Sequence, residues 1–248
     1  MLHKRIANMP LERYYVLRLA FAIVFTLVIS LLSFTGIAVK VPLKSLILLE
    51  TFIPNGSFAP IFTSVLSVAS TVVYVYLFSD FVARGMQQSA SHTFIRSASR
   101  ATWLTHRLSY LFAYTACFAV FKTFPILLMD NWVHFLSSAL SNTLIHFLCL
   151  VLISQLSMYM FEAGAFVLIM FGHITCLCIL SSLPVHGFEI VWLVLPSAQA
   201  VAYGALLSGL PALEWMSIIN WWPVIYLTIL TCFTVLIFIK QIQSFDLV

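Results

Sequence analysis

Residues 133–155 read VHFLSSALSNTLIHFLCLVLISQ, a run of 23 positions without an Asp, Glu, Lys or Arg. A helix rises about 1.5 Å per residue, so roughly 20 mostly apolar residues cross the hydrocarbon core of a bilayer. The run meets that length with no Gly or Pro to break it. The fold then depends on how many such runs the chain holds. Five more qualify, at residues 19–39, 61–81, 108–129, 163–183 and 218–239.

The run 108–129 is imperfect, because Lys122 and Pro125 interrupt its outer half. Lys122 is expected to snorkel toward the interface, and Pro125 to kink the helix or break its end. Residues 190–210 form a weaker candidate that carries Pro196, Ser197, Gln199, Gly204 and Gly209 and stops at Pro211. Irregular backbone at membrane depth is tolerated only against protein. This segment is therefore expected to re-enter the outer leaflet as short helices. The expectation is an all-α polytopic membrane protein of six transmembrane helices, one transmembrane domain over residues 1–248.

Composition agrees. Of the 248 residues, 62% are hydrophobic and 8% charged, against roughly 25% charged in a soluble domain. Twelve Lys+Arg and eight Asp+Glu are too few to solvate a water-facing surface. A soluble enzyme, a disordered chain and a nucleic-acid-binding module are excluded. The five cysteines, Cys117, Cys149, Cys176, Cys178 and Cys232, lie in apolar runs without a C-x-x-C pair. They read as small buried hydrophobes rather than a disulfide framework or a zinc site.

Loop charges give the orientation. With six spans, Lys4, Arg5, Arg13, Arg18, Arg84, Arg96, Arg100, Arg107 and Lys240 fall on one side, and Lys40, Lys44 and Lys122 on the other. Nine against three predicts a cell membrane protein with both termini cytoplasmic. The first apolar run is too long for a signal-peptide core and no A-x-A-like site follows it, so it reads as an uncleaved span.

Two segments outside the spans stand out. Residues 9–19 (MPLERYYVLRL) combine Arg13 and Arg18 with Tyr14, Tyr15, Leu17 and Leu19. They suit either a helix lying in the headgroup plane or ordinary basic flanking. Residues 80–107 (DFVARGMQQSASHTFIRSASRATWLTHR) form the longest polar stretch and hold four of the twelve basic residues. Arg96, Arg100, Trp103 and Arg107 are four, three and four apart, so they share one helical face. That face could rest on anionic lipid or dock into a groove on a cytoplasmic partner. Residues 184–215 are long, apolar and nearly uncharged, unlike a water-facing loop. They are expected to fold back into the outer leaflet.

Motifs for chemistry are missing from the sequence. There is no G-x-x-x-x-G-K-[ST], so ATP is not bound through that loop, and no H-E-x-x-H or G-x-S-x-G occurs. His146 and His173 are the two histidines deep in spans and could in principle hold a haem. A lone buried His is more often a hydrogen-bonded packing residue. Ser138, Asn142, His146 and Cys149 form a polar stripe on one span, and Ser64, Ser67, Thr71 and Tyr74 on another. Such stripes serve close helix packing or line a substrate path. No Asp, Glu or Arg is expected at mid-depth, which argues against an ion channel or a proton relay.

Taken together, the pattern resembles the membrane subunits of type-2 ABC exporters, especially the short six-span permeases of bacterial peptide and bacteriocin export or immunity systems. Residues 9–19 match that family's interfacial helix. Asp80, Arg84 and Gly85, then the run Arg96-Ser97-Ala98-Ser99-Arg100 with Trp103 and Arg107, are similar to its cytoplasmic coupling helix. Residues 184–215 sit where the family places outer-leaflet re-entrant helices, and the end through Lys240 to Asp246-Leu247 looks like its short tail. This loop is purely basic after Asp80, whereas the family often places an acid near the coupling helix. The resemblance implies an ATP-driven exporter permease that is not itself an enzyme and carries no cofactor. It implies that ATP and Mg bind a cytoplasmic ABC ATPase subunit on a separate chain, with a second permease copy completing the path. Asp80, Arg84, Gly85, Arg96, Arg100, Trp103 and Arg107 would couple to that ATPase. Ser67, Thr71, Asn142, His146 and His173 are candidates for pathway or packing. The competing expectations are an intramembrane haem or redox protein using His146 and His173, and a structural membrane subunit.

Overall fold

The structure, a computed structural model, describes residues 11–34, 59–89, 100–129, 132–182, 195–196 and 221–244. Every extended element among them is a helix: α1 Leu11–Phe34, α2 Ala59–Phe78, α3 Phe81–Ser89, α4 Arg100–Met129, α5 Trp132–Leu156, α6 Glu162–Ser182 and α7 Trp222–Ser244. The six long helices each overlap one of the six apolar runs. By length and composition, Phe135–Leu156 and Trp222–Ser244 are the two among the described residues able to cross a membrane. The expected outer-leaflet segment 184–215 lies outside the described residues except for Leu195 and Pro196. So do Arg96 and the tail beyond Ser244.

Side-chain pairings fix the helix directions. Tyr15 meets Phe78 and Phe81, and Arg18 meets Leu77, so α1 runs antiparallel to α2. Phe81 meets Arg107, Phe78 meets Tyr114 and Tyr74 meets Thr115, so α4 also runs antiparallel to α2. Ser79 bonds Glu162 and Tyr76 meets Phe166 edge-on, which makes α6 antiparallel to α2. Gln155 Nε2 donates to the Thr234 carbonyl at 3.0 Å, while Leu144, Ile145 and Leu148 pack on Leu227. Thus α7 runs parallel to α5.

One end of the bundle therefore collects the start of α1, the end of α2, α3, the start of α4, the end of α5, the start of α6 and the end of α7. That end carries Arg13, Arg18, Asp80, Arg84, Arg100, Arg107, Glu162 and Lys240. Among the described residues only Lys122 brings charge to the far half. Ser182 and Trp221 both lie at that far end.

Helix α5 is the hub. It packs against α2, α4, α6 and α7, and residues 141–150 are all buried. Aromatic contacts and hydrogen bonds join the helices beside apolar packing. Tyr74 stacks on Phe118 with centroids 4.1 Å apart, and Phe112 meets Phe147 edge-on at 5.3 Å. Many hydroxyls need no neighbour at all. Thr26, Thr115, Thr123, Thr143 and Ser154 each donate to the carbonyl four residues back in their own helix. Such back-bonding lets a polar residue sit in an apolar bundle at small cost.

Three local expectations change. Of the segment 9–19, the described residues 11–19 are not set off as a separate interfacial helix: Leu11–Phe34 is one helix. Of the kink or broken end expected at Pro125, the broken end is not found, because α4 continues to Met129. Pro125 removes a single backbone donor, and flanking turns carry the helix past it. Lys122 does not snorkel outward. A helical Cβ leans toward the N-terminus, which aims Lys122 back into the bundle, where Nζ donates to Thr71 Oγ1 at 3.0 Å.

Candidate functional site

At the basic end, the chain turns sharply between α2 and α3 at Ser79 and Asp80. Asp80 is only 6% exposed. A carboxylate so enclosed must be paired and hydrogen-bonded to stay charged. Arg18 Nη1 of α1 sits 2.5 Å from Asp80 Oδ1, and Arg84 Nε of α3 sits 2.5 Å from Oδ2. Tyr15 donates its hydroxyl to Oδ1 at 3.3 Å. Arg18 also donates to the Leu77 carbonyl at 2.5 Å and to the Tyr14 hydroxyl, and it lies over the Tyr14 ring. Burial, reinforced by the nearby Asp80 charge, holds the Tyr15 phenol far above its ordinary value of about 10. The phenol therefore acts as a permanent donor.

The next turn brings in α4. The Arg107 guanidinium lies 4.1 Å from the centroid of the Phe81 ring, and Nη2 donates to the Phe81 carbonyl at 3.4 Å. Gly85 makes this fit possible. A Cβ at that position would stand 2.7 Å from Arg107 Nε. Ser79 Oγ reaches Glu162 Oε1 at 3.0 Å, adding α6. One corner thus ties α1, α2, α3, α4 and α6.

Of the residues assigned to coupling by resemblance, Asp80, Arg84, Gly85 and Arg107 come together here. Arg100 opens α4, and Trp103 packs against the core beside buried Leu104. Arg96 lies outside the described residues. The basic face expected for 96–107 closes inward at Trp103 and Arg107. The exposed side of this turn carries Thr102, Thr105 and His106.

A second cluster lies deeper. Thr71 precedes Asp80 by nine positions, about 13 Å along a helix. Thr71 Oγ1 receives Lys122 Nζ and lies 3.1 Å from His146 Nε2. His146 Nδ1 contacts the Asn142 carbonyl. A carbonyl only accepts, so Nδ1 is assigned the proton, and a neutral ring then offers Nε2 as acceptor to the Thr71 hydroxyl. The chain of donors runs Lys122 to Thr71 to His146 to Asn142, across α4, α2 and α5. Tyr74, which donates to Thr115 at 2.9 Å, flanks His146 edge-on. Asn142 Nδ2 donates to the Ser138 carbonyl at 3.0 Å, while among the described residues the buried Asn142 Oδ1 has no hydrogen-bond partner.

The remaining candidates divide. Thr71, Asn142 and His146 meet in this cluster. His173 is buried on α6. Ser67 lies in α2, with its side chain outside the described residues. Both ring nitrogens of His146 are engaged, so an iron at Nε2 would displace Thr71. Among the described residues no group of three or more His, Cys, Asp or Glu side chains is placed to hold a metal.

Sequence reasoning missed Tyr15 and Arg18 as partners of Asp80, Glu162 as partner of Ser79, and the inward turn of Lys122. The Asp80–Arg84 spacing of four was a readable signal; the others pair across helices. No protein family, curated protein or solved structure matches the chain.

Proposed function

We propose that this chain is the transmembrane subunit of an ATP-driven exporter of the type-2 ABC kind. It spans the cytoplasmic membrane six times with both termini inside. It moves an amphipathic or peptide-like substrate, acts with a second permease copy, and is driven by a separate cytoplasmic ATPase subunit that holds ATP and Mg.

The observation that carries this function is the Asp80 corner. A transmission element must be stiff where it joins the bundle and accessible where it is pushed. Asp80 is buried and bound to α1 and α3, while Arg84 is 47% exposed on the outer side of the same corner. A push on α3 or on the start of α4 therefore reaches α1, α2 and α4 together rather than being lost in a loose loop. The concentration of basic residues at this end supports a cytoplasmic placement. The sequence's lack of a nucleotide-binding loop supports an energy source on another chain.

The test is a charge reversal at Arg96 and Arg100, made as the double substitution Arg96→Glu and Arg100→Glu. The tagged chain is purified from its native membranes, and ATP hydrolysis and export are measured on the co-purifying material. Wild-type chain is expected to bring down a nucleotide-binding subunit with ATPase activity. The double variant should insert normally and lose at least about tenfold in export per ATP hydrolysed, about 1.4 kcal/mol of coupling. Absence of any nucleotide-binding partner, or unaltered export by the variant, defeats the proposal.

A further inference from the structure

Two helices carry an outward stripe that changes character at one end. On α1, Val28, Val24, Phe21, Leu17 and Arg13 follow one another every three or four positions, and all are exposed. On α7, Ile225, Ile229, Phe233, Leu236 and Lys240 do the same. Such spacing keeps each set on one helical face. Each stripe runs for fifteen positions, about 22 Å, and is apolar until its last member, which is a cation. Both cations lie at the basic end of the bundle.

In a six-span protein, an apolar face on the outside of the bundle is solvated by lipid chains. The stripe then fixes depth: Leu17 lies in hydrocarbon, and Arg13, one turn further, reaches the headgroup level on a flexible arm. Leu236 and Lys240 repeat the relation. Among the described residues, neither cation has an acid or a hydrogen-bond partner within the chain. The nine Lys and Arg of that side face the acids Glu12, Asp80, Glu162 and Asp246, so its charge stays positive with every acid counted. A second copy of the chain suits these stripes less well. Two-fold packing about an axis along the membrane normal brings like ends of one helix together, setting Arg13 against Arg13 or Lys240 against Lys240.

We infer that Arg13 and Lys240 are contact sites for the phosphates of anionic phospholipid in the cytoplasmic leaflet, which rests on the membrane-spanning part of the function proposed above and adds a lipid partner to it. Arg13 donates to phosphate oxygens through its planar guanidinium, and Lys240 through its ammonium as a point charge. The acyl chains of the same lipid lie along Leu17 and Phe21, or along Leu236 and Phe233. Head and tail thus meet matched surfaces on one helix. A headgroup of net negative charge is preferred over a zwitterionic one, whose own cation offsets its phosphate.

For the test, the full chain is reconstituted in phosphatidylcholine vesicles at low salt with a trace of spin-labelled phosphatidylglycerol or phosphatidylcholine. Electron spin resonance reads the fraction of label held at the protein surface. Each cation favours an anionic lipid beside it roughly fivefold. Averaged over the lipids that touch neither cation, the phosphatidylglycerol label should associate at least about twofold more strongly. Arg13→Gln with Lys240→Gln should remove at least about half of that excess, whereas the charge-keeping pair Arg13→Lys with Lys240→Arg should retain it. Equal association of the two labels in the wild type, the outcome expected if a second copy covers both stripes, overturns the sites. So does a preference undiminished in the glutamine pair. Absence of surface-held lipid with either label would remove the membrane-spanning reading as well, and is distinct from equal association. No ATP is present, so a missing ATPase partner would remove the exporter function and leave this measurement intact.

Discussion

Replacing Asp80 by Asn keeps the shape of the side chain and removes its charge, which leaves Arg18 facing a neutral amide. Arg18 is the more enclosed of its two partners, with a side chain 19% exposed against 47% for Arg84. Breaking an enclosed ion pair on one side costs about 3–5 kcal/mol when fully buried, and less where water still reaches one partner. Asp80→Asn is therefore expected to destabilise the chain by about 2–3 kcal/mol. Arg84→Ala should cost under about 1 kcal/mol, because the exposed half of the pair is screened. Thermal unfolding of both variants in detergent, compared by midpoint, separates the two. Equal losses would mean that Asp80 is held by its exposed partner, and that the corner is not stiff.

The contact between α3 and α4 depends on an absent side chain. At Gly85 an added methyl meets the Arg107 guanidinium, a movable group, rather than backbone. Ala is favoured over Gly inside a helix by about 1 kcal/mol, whereas a displaced guanidinium gives up a cation–π contact of about 0.5–2 kcal/mol. The two effects oppose each other. Gly85→Ala should change the unfolding midpoint little in wild type, yet raise it in an Arg107→Ala background by the equivalent of about 1 kcal/mol. A four-protein cycle measures this, and additive effects would show that Gly85 and Arg107 do not meet. The same contact shows what the residues disclose on their own. The long helices were legible because each is a charge-poor run, and α5 above all. Periodicity also placed Arg100, Trp103 and Arg107 on one face. It could not tell whether that face turns out or in, since the answer lies in Phe81 and Gly85 on another helix. Arg18 and Asp80, 62 positions apart, are likewise joined only by the packing of α1 on α2. Lys122 was misread because nearness to the end of a span suggests snorkelling, while the backward lean of a helical Cβ sends it inward.

At the scale of the whole bundle, the parallel run of α5 and α7 constrains the topology. If α7 instead ran antiparallel to α5, Gln155 could not reach Thr234 while Leu148 packs on Leu227. Ser182 and Trp221 must then share an end, opposite the end that holds Arg13, Arg18, Arg84, Arg100, Arg107 and Lys240. Moving Lys or Arg through a membrane centre is costly by at least about 2.5 kcal/mol each, so the basic end is expected to stay in the cytosol. Single cysteines test this after the five native ones are replaced. Phe161, 91% exposed in the turn between α5 and α6, reports the basic end, and Trp221, 38% exposed, reports the other. An impermeant maleimide added to intact cells should label Trp221→Cys and spare Phe161→Cys, and both should react once the cells are opened. Labelling of Phe161→Cys from outside would place six basic side chains beyond the membrane. The Asp80 corner would then face away from the compartment where ATP is hydrolysed, and no ATPase could push on it.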